Sequence, residues 1–159
     1  MMENTAQQTP LTGRLQLALN VEDLEASTRF YSDLFGAEPV KRKDGYVNFA
    51  IAEPPLKLIL FEGAEGGTIN HLGVEVPSSA DVQTTIARLE KTEMLTDVEN
   101  NVSCCYATQD KVWVTAPDGE KWEYYAVLAD TDQLASDAGT CGCTTSKGTT
   151  STACCTAVA

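Results

Sequence analysis

The chain has a single histidine, His71, among its 159 residues, and it is poor in basic and aromatic side chains. Lysine and arginine total 11 against 23 acidic residues, giving a formal charge of −12. A chain of that sign repels phosphate backbones, so no nucleic-acid partner is expected. No apolar run approaches the roughly 18–20 residues of a membrane span, so none is expected to enter a bilayer. The stretch from Met1 to Pro10 lacks the apolar core of an export signal. A cytoplasmic location and reduced thiols follow as expectations. The cysteines also lack zinc-finger spacing: the six stand as Cys104–Cys105, Cys141–Cys143 and Cys154–Cys155. Placement in pairs suits soft-metal or metalloid chemistry better than a disulfide framework.

What is present is enough for one domain. Hydrophobic residues make up 43% and charged residues 21%, near the globular average, so a coiled coil or a wholly disordered chain is not expected. Composition divides the chain into three. Residues 1–13 are polar and read as a flexible N-terminal segment. Residues 14–128 carry nearly all the aromatic and branched apolar side chains. Residues 129–159 are rich in Cys, Thr and Ser, with Leu134 and Val158 as the large aliphatics, and read as a disordered tail.

Within 14–128 one pattern occurs twice, over 14–62 and 69–128. Each copy opens with an alternating strand, Leu15–Val21 or Asn70–Val76. An amphipathic helix follows each strand. The first starts near Asp23 and ends at Phe35–Gly36; the second starts at Ser78, with Asp81 completing a capping box. Three strands follow each helix: 38–42, 46–52 and 56–62 in the first half, then 95–99, an interrupted 104–115, and 121–128. Asn100 and Asn101 read as a loop. The predicted fold is α+β, two βαβββ repeats forming a cupped mixed sheet around a cleft.

Alternation assigns faces. Leu15, Leu17 and Leu19 share one face of the first strand, and Gln16, Ala18 and Asn20 the other. His71, Gly73 and Glu75 share a face, as do Lys121, Glu123 and Tyr125. The apolar faces are expected to pack on the helices. Gln16, His71 and Glu123 then face the cleft from three strands, where a carboxamide oxygen, an imidazole and a carboxylate suit a divalent metal. Each residue also has an ordinary reading: a structural histidine, a water-facing glutamine, a salt-bridging glutamate. Cys104 and Cys105 read otherwise as small core residues, Asp110 and Lys111 as a solvated pair, and Tyr106, Trp113 and Tyr125 as packing.

The segments Leu17–Val21, Phe30–Gly36, Asn70–Gly73 and Asp118–Glu123 resemble the vicinal oxygen chelate superfamily, which includes glyoxalase I, bleomycin-resistance proteins and extradiol dioxygenases. The resemblance implies metal ligands at Gln16, His71 and Glu123. The position of a fourth ligand used by some members falls near Leu58, which cannot ligate. Ser103–Val114 resembles the organoarsenical carbon–arsenic lyases and the cadmium-induced proteins. That resemblance implies an Fe(II)-dependent dioxygenase cleaving the carbon–arsenic bond of trivalent organoarsenicals, with O2 as co-substrate and Cys104 and Cys105 binding arsenic. Neighbouring strand residues point to opposite faces, so joint action of the two cysteines predicts a bend there. A cadmium- or arsenite-binding protein without turnover, or a glyoxalase or thiol transferase of the same superfamily, remains an alternative. Either a monomer or a homodimer is compatible with the repeat.

Overall fold

The computed structural model describes residues 13–132. The expected flexible segment (1–13) and the tail beyond residue 132 lie almost wholly outside that range. Cys141, Cys143, Cys154 and Cys155 are therefore outside it too.

The chain forms β1 (Arg14–Val21), α1 (Leu24–Phe35), β2 (Lys41–Lys43), β3 (Tyr46–Ile51), β4 (Leu56–Glu62) and β5 (Thr68–Glu75). It continues with α2 (Ser79–Glu90), β6 (Asp97–Cys104), β7 (Ala107–Thr115) and β8 (Lys121–Asp130). The eight strands make one mixed sheet in the order β2-β3-β4-β1-β5-β8-β7-β6. β1 lies parallel to β4 and antiparallel to β5, and β5 lies parallel to β8. The first strands of the two repeats are thus neighbours at the centre. The α+β reading of two βαβββ units in a cupped sheet holds.

The helices form where the sequence supplies their ends. Asp23 accepts from Ala26 N at 2.8 Å, and Gly36 takes the left-handed conformation (φ 59°) that stops α1. Ser78 accepts from Asp81 N at 3.3 Å and donates to its Oδ2 at 2.6 Å. Each helix covers its own half of one sheet face. Leu58, Leu60, Val47 and Phe49 pack with Leu24 of α1, with Leu17 and Leu19 against them. Val82, Ile86 and Leu89 of α2 pack with Val112 and Ala126. Burying side chains of this size stabilises by about 1.5–3 kcal/mol each, which fixes the outer face of the sheet. The inner face then carries Ala18, Tyr46, Ile59, Phe61, Cys104 and Trp113 as a third cluster.

Two strand expectations are corrected. The 95–99 strand and the Asn100–Asn101 loop are one strand, β6, with a bulge: Glu99 pairs with Lys111 but Val102 pairs with Gln109. Asn101 has φ 53°, and its N–H donates to Asp110 Oδ1 at 2.7 Å, which holds the bulge inside the sheet. The interruption expected in 104–115 is a tight hairpin turn at Cys105–Tyr106, between β6 and β7.

Candidate functional site

Alternation along β1, β5 and β8 brings Gln16, His71 and Glu123 onto the inner face, all three buried. Gln16 Nε2 donates to Glu123 Oε1 at 2.8 Å and lies 3.0 Å from His71 Nε2. His71 Nε2 is 3.3 Å from Glu123 Oε1. Gly73, which pairs with both Gln16 and Glu123, lies beneath them.

The imidazole is oriented from behind by a bulge. Ala18 pairs with His71 but Leu19 pairs with Ile69, which leaves Asn70 as the extra residue. Asn70 Oδ1 thereby comes within 2.7 Å of His71 Nδ1. Asn70 Nδ2 donates to Asn20 Oδ1 at 2.9 Å, and Asn20 Nδ2 donates to Thr68 Oγ1 at 2.9 Å. With Asn70 Nδ2 committed as a donor, its Oδ1 accepts, so the ring proton sits on Nδ1. Nε2 then presents its lone pair to the Gln16 N–H.

The carboxylate is held ionised. Lys111, fully buried, donates to Glu123 Oε2 at 2.8 Å. Burial alone would raise the Glu123 carboxyl, but the Lys111 ammonium outweighs it and holds it far below the ordinary carboxylate range. Burial likewise pulls Lys111 down, yet Glu123, Cys105 and Glu99 push it above its ordinary value. The solvated Asp110–Lys111 pair is therefore not what forms. Lys111 turns inward over Trp113 and Tyr125, while Asp110 accepts from Ser79 Oγ.

Behind Gln16 lies a second polar group. The Tyr125 hydroxyl bonds Gln16 Oε1 and lies 3.0 Å from Glu75 Oε2. Glu75 also accepts from Lys57 at 2.9 Å and from Arg14 at 3.2 Å. Burial would raise the Glu75 carboxyl, but Lys57 and Arg14 lower it.

The cysteines sit on the expected bend. Cys104 ends β6, and Cys105 and Tyr106 take φ of 52° and 61°, both left-handed. Their Sγ atoms lie 3.4 Å apart, a separation two neighbours on a regular strand do not reach. Cys104 packs in the same apolar cluster as Ala18 and Trp113, and the Trp113 ring lies 5.4 Å from that of His71.

Imidazole nitrogen, carboxylate oxygen and carboxamide oxygen are all donors a divalent ion accepts, and the three side chains converge, with the nitrogen end of the Gln16 amide facing the other two. They fit such an ion as Gln16, His71 and Glu123. Among the described residues no cluster of three His, Cys, Asp or Glu side chains stands ready for a metal ion, so a site here would draw on the Gln16 amide as well. Sequence reasoning missed Asn70, Gly73, Lys111 and Glu75. The one available signal was Gly73, a glycine in mid-strand.

Residues 13–124 match the family model of the Glyoxalase/Bleomycin resistance protein/Dioxygenase superfamily. The cadmium-induced protein CadI of Mycobacterium tuberculosis is 62% identical over 124 residues, 77% of this chain and 82% of that protein. The trivalent organoarsenical cleaving enzyme of Thermomonospora curvata is 56% identical over 133 residues, 82% and 88% of the two chains. Among solved structures, the 2,3-dioxygenase LapB from Pseudomonas sp. KL28 superposes with a TM-score of 0.58 at 22% identity, over 80% of this chain and 46% of that one.

Proposed function

Because the chain belongs to the Glyoxalase/Bleomycin resistance protein/Dioxygenase superfamily, we propose that it is an Fe(II)-dependent dioxygenase acting on trivalent organoarsenicals. It cleaves the carbon–arsenic bond of methylarsenite or a trivalent aromatic arsenical and releases inorganic arsenite. The observation that carries this reading is the paired-cysteine turn packed on the same inner wall as the buried Gln16, His71 and Glu123. A relative named for organoarsenical cleavage supports it.

The chain's own residues divide the work. Gln16, His71 and Glu123 would hold the iron, which when bound supplies the reactivity toward O2 that no side chain here has. Asn70 keeps Nε2 of His71 available, and Lys111 keeps Glu123 charged. Trivalent arsenic with one organic group carries two exchangeable hydroxyls. Each cysteine replaces one, its proton leaving with the hydroxyl as water. Trp113, Tyr46 and Phe61 form an apolar wall for the organic group and exclude water from it.

The test separates capture from turnover in reduced protein. His71→Ala is expected to retain arsenical binding and lose arsenite release, and Cys105→Ser to lose both while iron still binds. Full turnover by a Cys104→Ser, Cys105→Ser double variant would refute the proposal. The similarity to a protein named for cadmium induction favours a second reading, metal sequestration without turnover. In that case His71→Ala leaves cadmium uptake unchanged.

A further inference from the structure

Gln16 cannot serve as a ligand in the orientation it has. An amide nitrogen has no lone pair to give, because it is delocalised into the carbonyl. Yet Nε2 is the end that faces His71 and Glu123, and Oε1 is the end that faces Tyr125. The two N–H groups match the two acceptors on the inner side: one meets the His71 Nε2 lone pair at 3.0 Å, the other Glu123 Oε1 at 2.8 Å.

The outer side is mismatched. The Tyr125 hydroxyl has one proton and stands between two acceptors, Gln16 Oε1 and Glu75 Oε2. Glu75 is already the acceptor of Lys57 and Arg14 and has no proton to give. Turning the amide by half a turn resolves the conflict. Gln16 N–H then donates to the phenol oxygen, and the phenol donates to Glu75. Every donor on that side has one acceptor, and Oε1 points inward.

We propose that Gln16 is a two-position ligand and that Tyr125 is its positioning residue. The tyrosine reverses from donor to acceptor toward the amide, with Glu75 taking the phenol proton's hydrogen bond, so that Gln16 can turn its oxygen to a metal. The proposal rests on the reading of Gln16, His71 and Glu123 as the metal site. It needs neither iron redox chemistry nor an arsenical. Tyr125→Phe removes one hydrogen bond from the present orientation and two from the turned one. The difference of about one hydrogen bond predicts roughly fivefold weaker metal binding. The ring that faces the Lys57 and Lys111 ammonium groups at 4.9 and 5.8 Å remains, as do the ion pairs of Glu75, so the variant is expected to fold.

The decisive measurement is on the wild-type full chain, using zinc as a diamagnetic probe and nuclear Overhauser contacts of the Gln16 side-chain amide protons. Without added zinc these protons are expected to contact the His71 ring. With zinc they are expected to contact the Tyr125 ring instead, and the zinc dissociation constant is expected to rise about fivefold in Tyr125→Phe. Amide protons that stay beside His71 while zinc binds would overturn the two-position ligand and leave the metal site standing. Failure of zinc to bind, or to perturb His71 at all, would overturn both.

Discussion

Gly73 sets how closely the three polar side chains can meet. A methyl group there would lie 3.0 Å from Glu123 Cγ, 3.2 Å from Glu123 O and 3.3 Å from Gln16 Nε2. Gly73→Ala is therefore expected to fold and to bind Mn(II) about tenfold more weakly in a calorimetric titration; unchanged affinity would show that the contact is slack. Lys111→Met leaves the Glu123 carboxylate buried with its main cationic partner gone. Urea unfolding is expected to show a loss of about 3 kcal/mol. The residue scale also shows what alternation can and cannot reveal. Period-two parity put Gln16, His71 and Glu123 on one face, because each sits in a regular stretch of strand. The same rule separates Asn70 from its neighbour His71, and only the bulge at Asn70 brings them together. Lys111 was illegible for another reason. Beside Asp110 it reads as half of a surface pair, and nothing in its own neighbourhood announces a buried carboxylate twelve residues away.

At the scale of the element, the β6–β7 hairpin is the least conventional piece of the fold. Its two turn residues both need positive φ, a pattern that favours Asn-Gly, and the chain supplies Cys105 and Tyr106. Left-handed backbone costs an ordinary residue roughly 1–2 kcal/mol, and Asn less. Cys105→Asn is therefore expected to raise stability by about 0.5–1 kcal/mol and to abolish arsenical binding. Thermal denaturation and an equilibrium binding assay on the same variant check both halves. A destabilised variant would mean that Cys105 makes packing contacts worth more than the strain. The bend itself was legible, since two adjacent cysteines share a target only off a regular strand. Its form as a two-residue turn was not, because neither residue is a usual turn former, and the more conventional Asn100–Asn101 pair drew the loop to the wrong place.

Across the whole molecule the sheet curls until β2, at one edge, reaches the end of β8 and the β6–β7 turn. Lys41 of β2 donates to Asp130 of β8 at 2.6 Å and to the Tyr106 carbonyl at 3.1 Å, and the Tyr46 and Tyr106 rings lie 5.1 Å apart. The paired-cysteine turn is thus held by the first repeat and the polar triad by both. Glu75 joins the halves in the same way through Arg14, Lys57 and Tyr125. Its carboxyl is lowered in the folded state, so its contribution is complete above the unfolded value of about 4.3 and is lost as pH falls below it. Stability is expected to fall with acid below about pH 4.3, and less steeply in Glu75→Gln. Glu99, which burial raises, works in the opposite sense. The curl was legible as a doubled βαβββ pattern, whereas the ion pairs that close it were not, because their partners are up to 89 residues apart. The central claim is tested most directly by arsenic speciation in one vessel. Reduced full-length protein is loaded with Fe(II) without oxygen, given methylarsenite, and then exposed to air. Inorganic arsenite is expected only when iron and oxygen are both present. Methylarsenite recovered unchanged from the iron-loaded, aerated protein would contradict the account.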